Sequence, residues 1–209
     1  MYHFSLVVCM FLFGFGCAKT SEAPPGTKKI TQTNAFDEKE DFYILVKTGD
    51  RHGPYFRYSA SDTLVEKANY QHGQLHGTRV LYFPNGRLQT QEIYDSGAFD
   101  GTYITYYPNG TVELEGQYVN NTMEGVWKRN YKTGELFEEV TFANNKENGP
   151  FTEYYKNGQV QVSGQYLDGD QEHGELLFYD ETGAITKKMN CDKGLCRTIW
   201  TAASGEPLR

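Results

Sequence analysis

The sequence predicts an all-β fold: an elongated antiparallel meander of about six stacked β-hairpin repeats, each about 24 residues long. Three observations point to it. Glycines stand at positions 53, 77, 101, 125, 149 and 174, a spacing of 24 residues four times and 25 once, and a fixed period of that size marks stacked supersecondary units. Between those glycines apolar and polar side chains alternate, which is the period of a strand and not of a helix. The 209-residue chain also holds 16 tyrosines and 22 glycines. Large side chains with one polar tip suit a pleated surface, and glycine suits the turns between strands.

Residues 1–17 precede that pattern. The run FSLVVCMFLFGFGCA at 4–18 carries no charge. It is shorter than the stretch of about 18 or more apolar residues that spans a bilayer and fits the core of about 7 to 15 residues of an export signal. It ends at Gly14-Phe15-Gly16-Cys17, which resembles a bacterial lipobox with Cys17 as the lipidated residue. That reading implies an exported lipoprotein of the bacterial cell envelope, tethered to the membrane by an N-terminal lipid. A cleaved signal without lipid, or a short anchor, fits the same residues. Residues 18–41 are rich in Pro, Thr, Lys and acidic side chains and read as a solvated linker.

The repeat domain is expected over residues 42–203, with a tail at 204–209. A half-repeat at 42–53, FYILVKTGDRHG, is expected to supply one strand ahead of the first full unit. Nine residues after each starting glycine comes a second, at Gly86, Gly110, Gly134, Gly158 and Gly183, with Asp62 in the first copy. Asp tolerates a left-handed backbone better than most residues. Eleven residues after the start an aliphatic recurs: Leu64, Leu88, Val112, Leu136, Val160 and Ile185. Seventeen after comes an aromatic, Tyr70, Tyr94, Tyr118, Phe142 and Tyr166, until Cys191 replaces it. In the third copy Val112, Leu114, Gly116 and Tyr118 are expected on one face, and Glu113, Glu115 and Gln117 on the other. Pro108-Asn109-Gly110 supplies a preset φ and a left-handed position, a hairpin turn with a bulge. Residues 197–201, Arg-Thr-Ile-Trp-Thr, are expected to close the sheet.

Of the four cysteines, Cys9 would leave with the signal and Cys17 would carry lipid, which leaves Cys191 and Cys196. In an oxidising compartment that pair suggests one disulfide; two free thiols fit the same spacing in a reducing one. The six-residue segment CDKGLC lacks zinc spacing and a second ligand pair.

The pattern Gly-x-aromatic-x-x-Tyr-Tyr-x-Asn-Gly-x-Leu/Val, followed by Gly-x-Tyr and a closing glycine, resembles the MORN repeat variant, in the form found in YwqK-like proteins of bacteria. The resemblance covers about residues 42–200 and implies a hairpin meander and an antitoxin or immunity role. Its motif residues are turn glycines and core aromatics, so it brings no active site with it. Arg79, Asn130 and Cys191 depart from its columns.

The chemistry of the chain excludes more than it selects. A formal charge of -7 without a Lys/Arg run argues against nucleic acid, whose binding needs clustered positive charge. His52, His76 and His173 each precede a repeat glycine, where other copies carry Asp100, Glu124 and Asn148, and His72 lies in the same turn as His76; an exposed turn column fits them better than a metal site. DGDQEHG at 168–174 resembles the opening of a calcium loop without its distant glutamate. No catalytic constellation or phosphate loop is present, so neither an enzyme nor a cofactor is expected. What remains is two aromatic columns: Tyr58, Tyr82, Tyr106, Tyr154 and Tyr179 in one, Phe83, Tyr107, Tyr131 and Tyr155 in the next. Both could pack as core, yet a single-layer sheet leaves one face accessible, and tyrosine is enriched where proteins bind proteins. The expected partner is a protein, a toxin in the immunity reading. The alternative is a structural or carbohydrate-binding surface protein.

Overall fold

The computed structural model describes residues 23–204, and Cys17, the apolar segment before it and residues 205–209 lie outside that range. Every described element is a strand. In chain order they are β1 (Thr27–Thr33), β2 (Lys39–Leu45), β3 (Arg51–Tyr58), β4 (Leu64–Gln71), β5 (Gln74–Leu75), β6 (Gly77–Tyr82), β7 (Leu88–Asp95), β8 (Ala98–Phe99) and β9 (Gly101–Tyr106). They continue with β10 (Val112–Val119), β11 (Thr122–Asn130), β12 (Leu136–Ala143), β13 (Lys146–Tyr154), β14 (Val160–Tyr166), β15 (Gly174–Tyr179), β16 (Ile185–Asp192) and β17 (Leu195–Thr201). All belong to one antiparallel sheet in which strands pair with their neighbours in sequence, a meander.

Two kinds of turn build it. Within each repeat the tight turn closes at the second glycine: Gly110 N–H donates to the Tyr107 carbonyl at 2.8 Å, and Tyr107 N–H to the Thr111 carbonyl at 2.9 Å. Between repeats the two central residues both take positive φ, as in Ser96 and Gly97 (48° and 85°) or Asn144 and Asn145 (54° and 63°). That is the type I′ hairpin turn, whose twist matches that of the strands, and it explains the Asn and Gly at those positions. Successive turns also bond to each other: Gly97 N–H reaches the Leu75 carbonyl and Asn121 N–H the Phe99 carbonyl, each at 2.8 Å.

The repeat-start glycine has its own reason. Between the pairs Glu115↔Lys128 and Gln117↔Glu124, the single residue Gly116 of β10 faces three residues of β11, Gly125, Val126 and Trp127. The same wide bulge recurs between Val140↔Phe151 and Phe142↔Glu147. The extra residues bend the strand, and Gly125 and Gly149 adopt φ of 73° and 126° there.

Three expectations need correction. Residues 18–41 are not all linker: 27–33 form β1 and 39–41 begin β2, and the two strands pair from Thr27↔Leu45 to Thr33↔Lys39. The segment at 42–53 is therefore no half-repeat, because its strand already has a partner. A complete hairpin precedes the first glycine-marked unit, its turn closed by Asn34 and Glu38 with Asp37 at φ 59° in place of glycine. Ile30 and Ile44 pack this hairpin against the Phe42–Tyr55–Ala68 cluster, and hydrogen bonds add to that contact: Gln32 donates to Glu40 at 2.8 Å and Thr31 to Asp41 at 2.6 Å. Third, Val112 does not share a face with Leu114. Val112 pairs with Tyr106 and Leu114 with Thr105, so Glu113 is an extra residue that shifts the alternation by one.

One face carries the core. Its centre is the column two residues after each starting glycine: Tyr55, Trp127, Phe151 and Leu176 are all buried. A line of rings runs beside it, from Tyr94 to Phe99 (4.4 Å between centroids), Phe99 to Tyr118 (5.0 Å), Tyr118 to Trp127 (5.2 Å) and Trp127 to Phe142 (5.9 Å). Further along, Phe151 stacks on Tyr166 at 4.2 Å. At the C-terminal end Cys191 and Cys196 are joined in a disulfide between directly paired positions of β16 and β17. That site is the equivalent of Tyr70↔Leu75 and Tyr94↔Phe99 in earlier copies. A covalent link stands where other repeats place an apolar contact.

Candidate binding surface

The two aromatic columns occupy different environments. Tyr58, Tyr82, Tyr106, Tyr154 and Tyr179 end the first strand of their repeats, each paired with the aliphatic that opens the second, as in Tyr82↔Leu88 and Tyr154↔Val160. Strand alternation puts this column on the face opposite Trp127 and Phe151. All five are half-buried. Tyr154 donates to Glu139 at 3.1 Å, Tyr179 lies 3.4 Å from the Ser163 hydroxyl, and the Lys39 ammonium sits over the Tyr58 ring. Among the described residues no hydrogen bond engages the hydroxyls of Tyr58, Tyr82 and Tyr106, and of these three Tyr82 and Tyr106 also have no cation over the ring. Asn130 interrupts the column, and its amide donates to the Val112 carbonyl at 3.3 Å.

The second column is tied into the sheet. Tyr107 donates to the Asn130 carbonyl at 2.9 Å, Tyr131 to the Tyr154 carbonyl and Tyr155 to the Tyr179 carbonyl, both at 2.8 Å. Each hydroxyl thus bonds the backbone of the following repeat, and Phe83 alone in the column lacks the group. Asparagines run parallel to them: Asn109 donates to the Lys132 carbonyl at 2.8 Å and Asn157 to the Glu181 carbonyl at 3.0 Å. These bonds weld neighbouring hairpins along one edge of the sheet and leave that column only its ring surfaces for an outside contact.

On the core face, Arg79 stands in the column that otherwise holds Tyr55, Tyr103, Trp127, Phe151 and Leu176. It bonds Glu66 at 2.7 Å and Glu92 at 2.9 Å, and Arg57 joins Glu66 at 2.9 Å to Glu38 at 2.6 Å. Tyr94 donates to Glu92 and Tyr55 to Glu40, and Arg51 lies 3.5 Å from Glu40. The result is a chain of carboxylates and guanidiniums across the N-terminal hairpins. Glu66 and Glu92 are almost wholly buried, and a charge is tolerated there only because it is paired. Burial with the charge of Glu92 pushes the Tyr94 phenol up to about 12. The signal was present in the sequence: Arg79 has a glutamate 13 residues before it and another 13 after, the two positions that flank it across strands.

His52 and His72 stack edge to face at the turns (5.1 Å), and His76 and His173 face Asp95 and Asp192 at 3.3 and 3.5 Å. Among the described residues no group of three or more His, Cys, Asp or Glu is placed to hold a metal ion. No described helix is long and apolar enough to cross a membrane.

No match is found among curated proteins. Among solved structures the chain is similar to the crystal structure of TarM, at 17% identity and a TM-score of 0.25, over 47% of this chain and 21% of that one. It therefore spans about a fifth of TarM's length. It is also similar to a porin-like protein from Bacteroides uniformis ATCC 8492, at 8% identity and a TM-score of 0.21, over 82% of this chain and 92% of that one. The MORN repeat variant matches five segments, residues 51–72, 75–96, 99–120, 123–144 and 147–168, each running from the bulge that opens a repeat to the turn that ends it. With more than half of its residues in those segments, the chain belongs to the MORN repeat variant family.

Proposed function

We propose that this protein is a non-catalytic module that recognises a protein partner through its sheet, tethered to the bacterial envelope by a lipid on Cys17 and acting as an immunity protein or antitoxin. MORN repeats are commonly binding modules. The observation that carries the reading is the single layer: seventeen strands share one sheet, and among the described residues no large side chain is fully buried. A sheet with no second layer keeps a broad surface for another molecule. On the outer face the half-buried rings and unpaired hydroxyls of Tyr82 and Tyr106 are the proposed contacts, since tyrosine offers a rigid apolar body with one polar tip.

Full-length protein carrying a photo-crosslinker at position 106 is expected to trap a discrete protein in intact cells. Tyr82→Ala with Tyr106→Ala should weaken the isolated complex at least about fivefold, the equivalent of about 1 kcal/mol. Binding of the domain to glycans that the double substitution abolishes would favour the carbohydrate reading instead. Cys17→Ser should release the protein from membranes, and unchanged partition would refute the lipid tether.

A further inference from the structure

The two edges of the sheet differ. Among the described residues β1 pairs with β2 alone and β17 with β16 alone. β17 carries a bulge between Thr198 and Trp200, a device that spoils an edge as a template for another strand. β1 has no such break, and from Thr27 to Thr33 it keeps one continuous register with β2. The bonds just beyond its two ends set which backbone groups remain. Val46 N–H donates to the Gly26 carbonyl at 3.1 Å and Asn34 N–H to the Glu38 carbonyl at 2.9 Å, so the even-numbered residues of β1 turn their N–H and C=O groups toward β2. Lys29, Thr31 and Thr33 turn theirs to the free edge, while the Thr27 N–H bonds back to the Pro24 carbonyl. Ile30 projects from this edge onto the core face, half-buried against the Phe42–Tyr55–Ala68 cluster.

An unbroken edge of this kind can be completed by another strand, and the sequence of β1 fits its own copy. We propose that two molecules of this protein pair through β1 in an antiparallel, two-fold arrangement centred on Ile30, which joins their sheets into one. In that register Lys29 and Thr31 exchange backbone bonds with Thr31 and Lys29 of the other copy, and the Thr33 N–H reaches the other copy's Thr27 carbonyl. Ile30 meets its counterpart in a non-hydrogen-bonded pair, where Cα atoms lie about 4.5 Å apart, so the two Phe42 clusters become continuous. Lysines on an edge strand ordinarily repel a second copy. Here Lys28 falls opposite Gln32, which bonds the Glu40 carboxylate, and Lys29 opposite Thr31, which bonds that of Asp41, so each basic pair approaches the acidic side of the other copy. A pairing centred on Lys29 would set like charges against each other, and one centred on Thr31 would set Ile30 against Gln32. The same register carries the exposed Pro25 of each copy past the end of β1 toward the turn of the other, where Phe36 is 81% exposed, and gives that ring an apolar neighbour. The contact lies at the sheet edge, away from Tyr82 and Tyr106, so it goes beyond the tyrosine contacts and stands or falls separately from them.

A contact of one seven-residue strand a side falls among weak, reversible interfaces, so trapping is the suitable test. Full-length protein would be produced in intact cells, oxidised there, and separated on a non-reducing gel. Ile30→Cys should give a disulfide-linked dimer beyond anything the unsubstituted protein forms. Lys28→Cys and Gln32→Cys should each stay monomeric alone and link when produced together, because those two positions meet only each other across the two-fold axis. In the Ile30→Cys background Thr31→Lys sets a lysine against Lys29 of the other copy and should lower the dimer at least about fivefold, and Lys29→Glu added to it should restore the dimer. No dimer from Ile30→Cys, equal linking of Lys28→Cys or Gln32→Cys alone, or no response to the charge variants overturns the two-fold pairing. A disulfide from Ile30→Cys to a different protein would overturn the second copy as the occupant of the edge. Loss of crosslinking at position 106 with the Ile30→Cys dimer intact would remove the tyrosine reading and leave this pairing standing.

Discussion

Gly116→Ala tests the packing of the repeat at its tightest point. A Cβ added to Gly116 would fall inside the indole of Trp127, with even the more distant Cε3 only 2.6 Å away. The indole cannot slide aside, because Tyr103, Tyr118 and Phe142 hold it at 5.9, 5.2 and 5.9 Å between centroids. Overpacking of this kind costs about 1–3 kcal/mol, and a rigid ring enclosed by other rings places Gly116→Ala near the upper end. At Gly164 the nearest atoms would be Leu176 Cδ1 at 2.7 Å and Phe151 Cε1 at 2.9 Å, one of them the tip of a flexible side chain, so Gly164→Ala should cost about 1 kcal/mol. The decisive measurement is a double-mutant cycle in urea with Trp127→Leu. Without the ring, Gly116→Ala should become neutral or stabilise slightly, because alanine lowers the entropy of the unfolded chain by about 0.4–1 kcal/mol. A coupling of about 2–3 kcal/mol follows. Repeat arrays can unfold in parts, so hydrogen exchange at β9 to β12 should localise the loss. An equal cost of Gly116→Ala in both backgrounds would refute the close approach of Trp127 to β10.

Three further outcomes are expected. Tyr131→Phe removes the hydroxyl that bonds the Tyr154 carbonyl and should cost about 1 kcal/mol in urea, whereas Tyr82→Phe, which breaks no bond, should be close to neutral. Reduction of the Cys191–Cys196 disulfide releases a loop of six residues, worth about 2 kcal/mol in the entropic account. Exchange should then rise around Trp200 while β6 to β13 stay protected. Burial alone would raise the Glu40 carboxyl, but hydrogen bonds from Gln32 and Tyr55 and the charge of Arg51 outweigh it and hold it below its ordinary value. The stability it contributes is complete above about pH 4.5 and disappears as pH falls through the lower folded value, so acid should open the β1–β2 hairpin. In Glu40→Gln, exchange in that hairpin should lose much of this acid dependence, and an unchanged profile would remove Glu40 from the cause.

The sequence alone determined the hairpin, its period and its turns, because the backbone imposes those constraints locally. A positive φ calls for Gly, Asn or Asp at the same two places in every unit, and 24 residues is the length of two short strands with two turns. The family followed from the same residues. Tertiary structure decided what depends on neighbours far along the chain. The N-terminal hairpin is hard to read because β1 carries a single apolar residue, Ile30, which packs at Phe42, and polar bonds of Gln32, Glu40 and Arg51 do the rest, leaving no apolar rhythm in that strand. The face of Val112 was misplaced because a bulge adds one residue without changing the alternation visible in the sequence. Tyr107, Tyr131 and Tyr155 look like Tyr82 and Tyr106 in composition; only pairing in space shows which hydroxyls bind the next repeat. Glu138, Glu147 and Glu153 are three unremarkable acidic residues along the chain. The register of β12 and β13 sets Glu138 directly across from Glu153, and Glu138 and Glu147 line one recess; registers are set by contacts between strands that no single stretch of sequence contains.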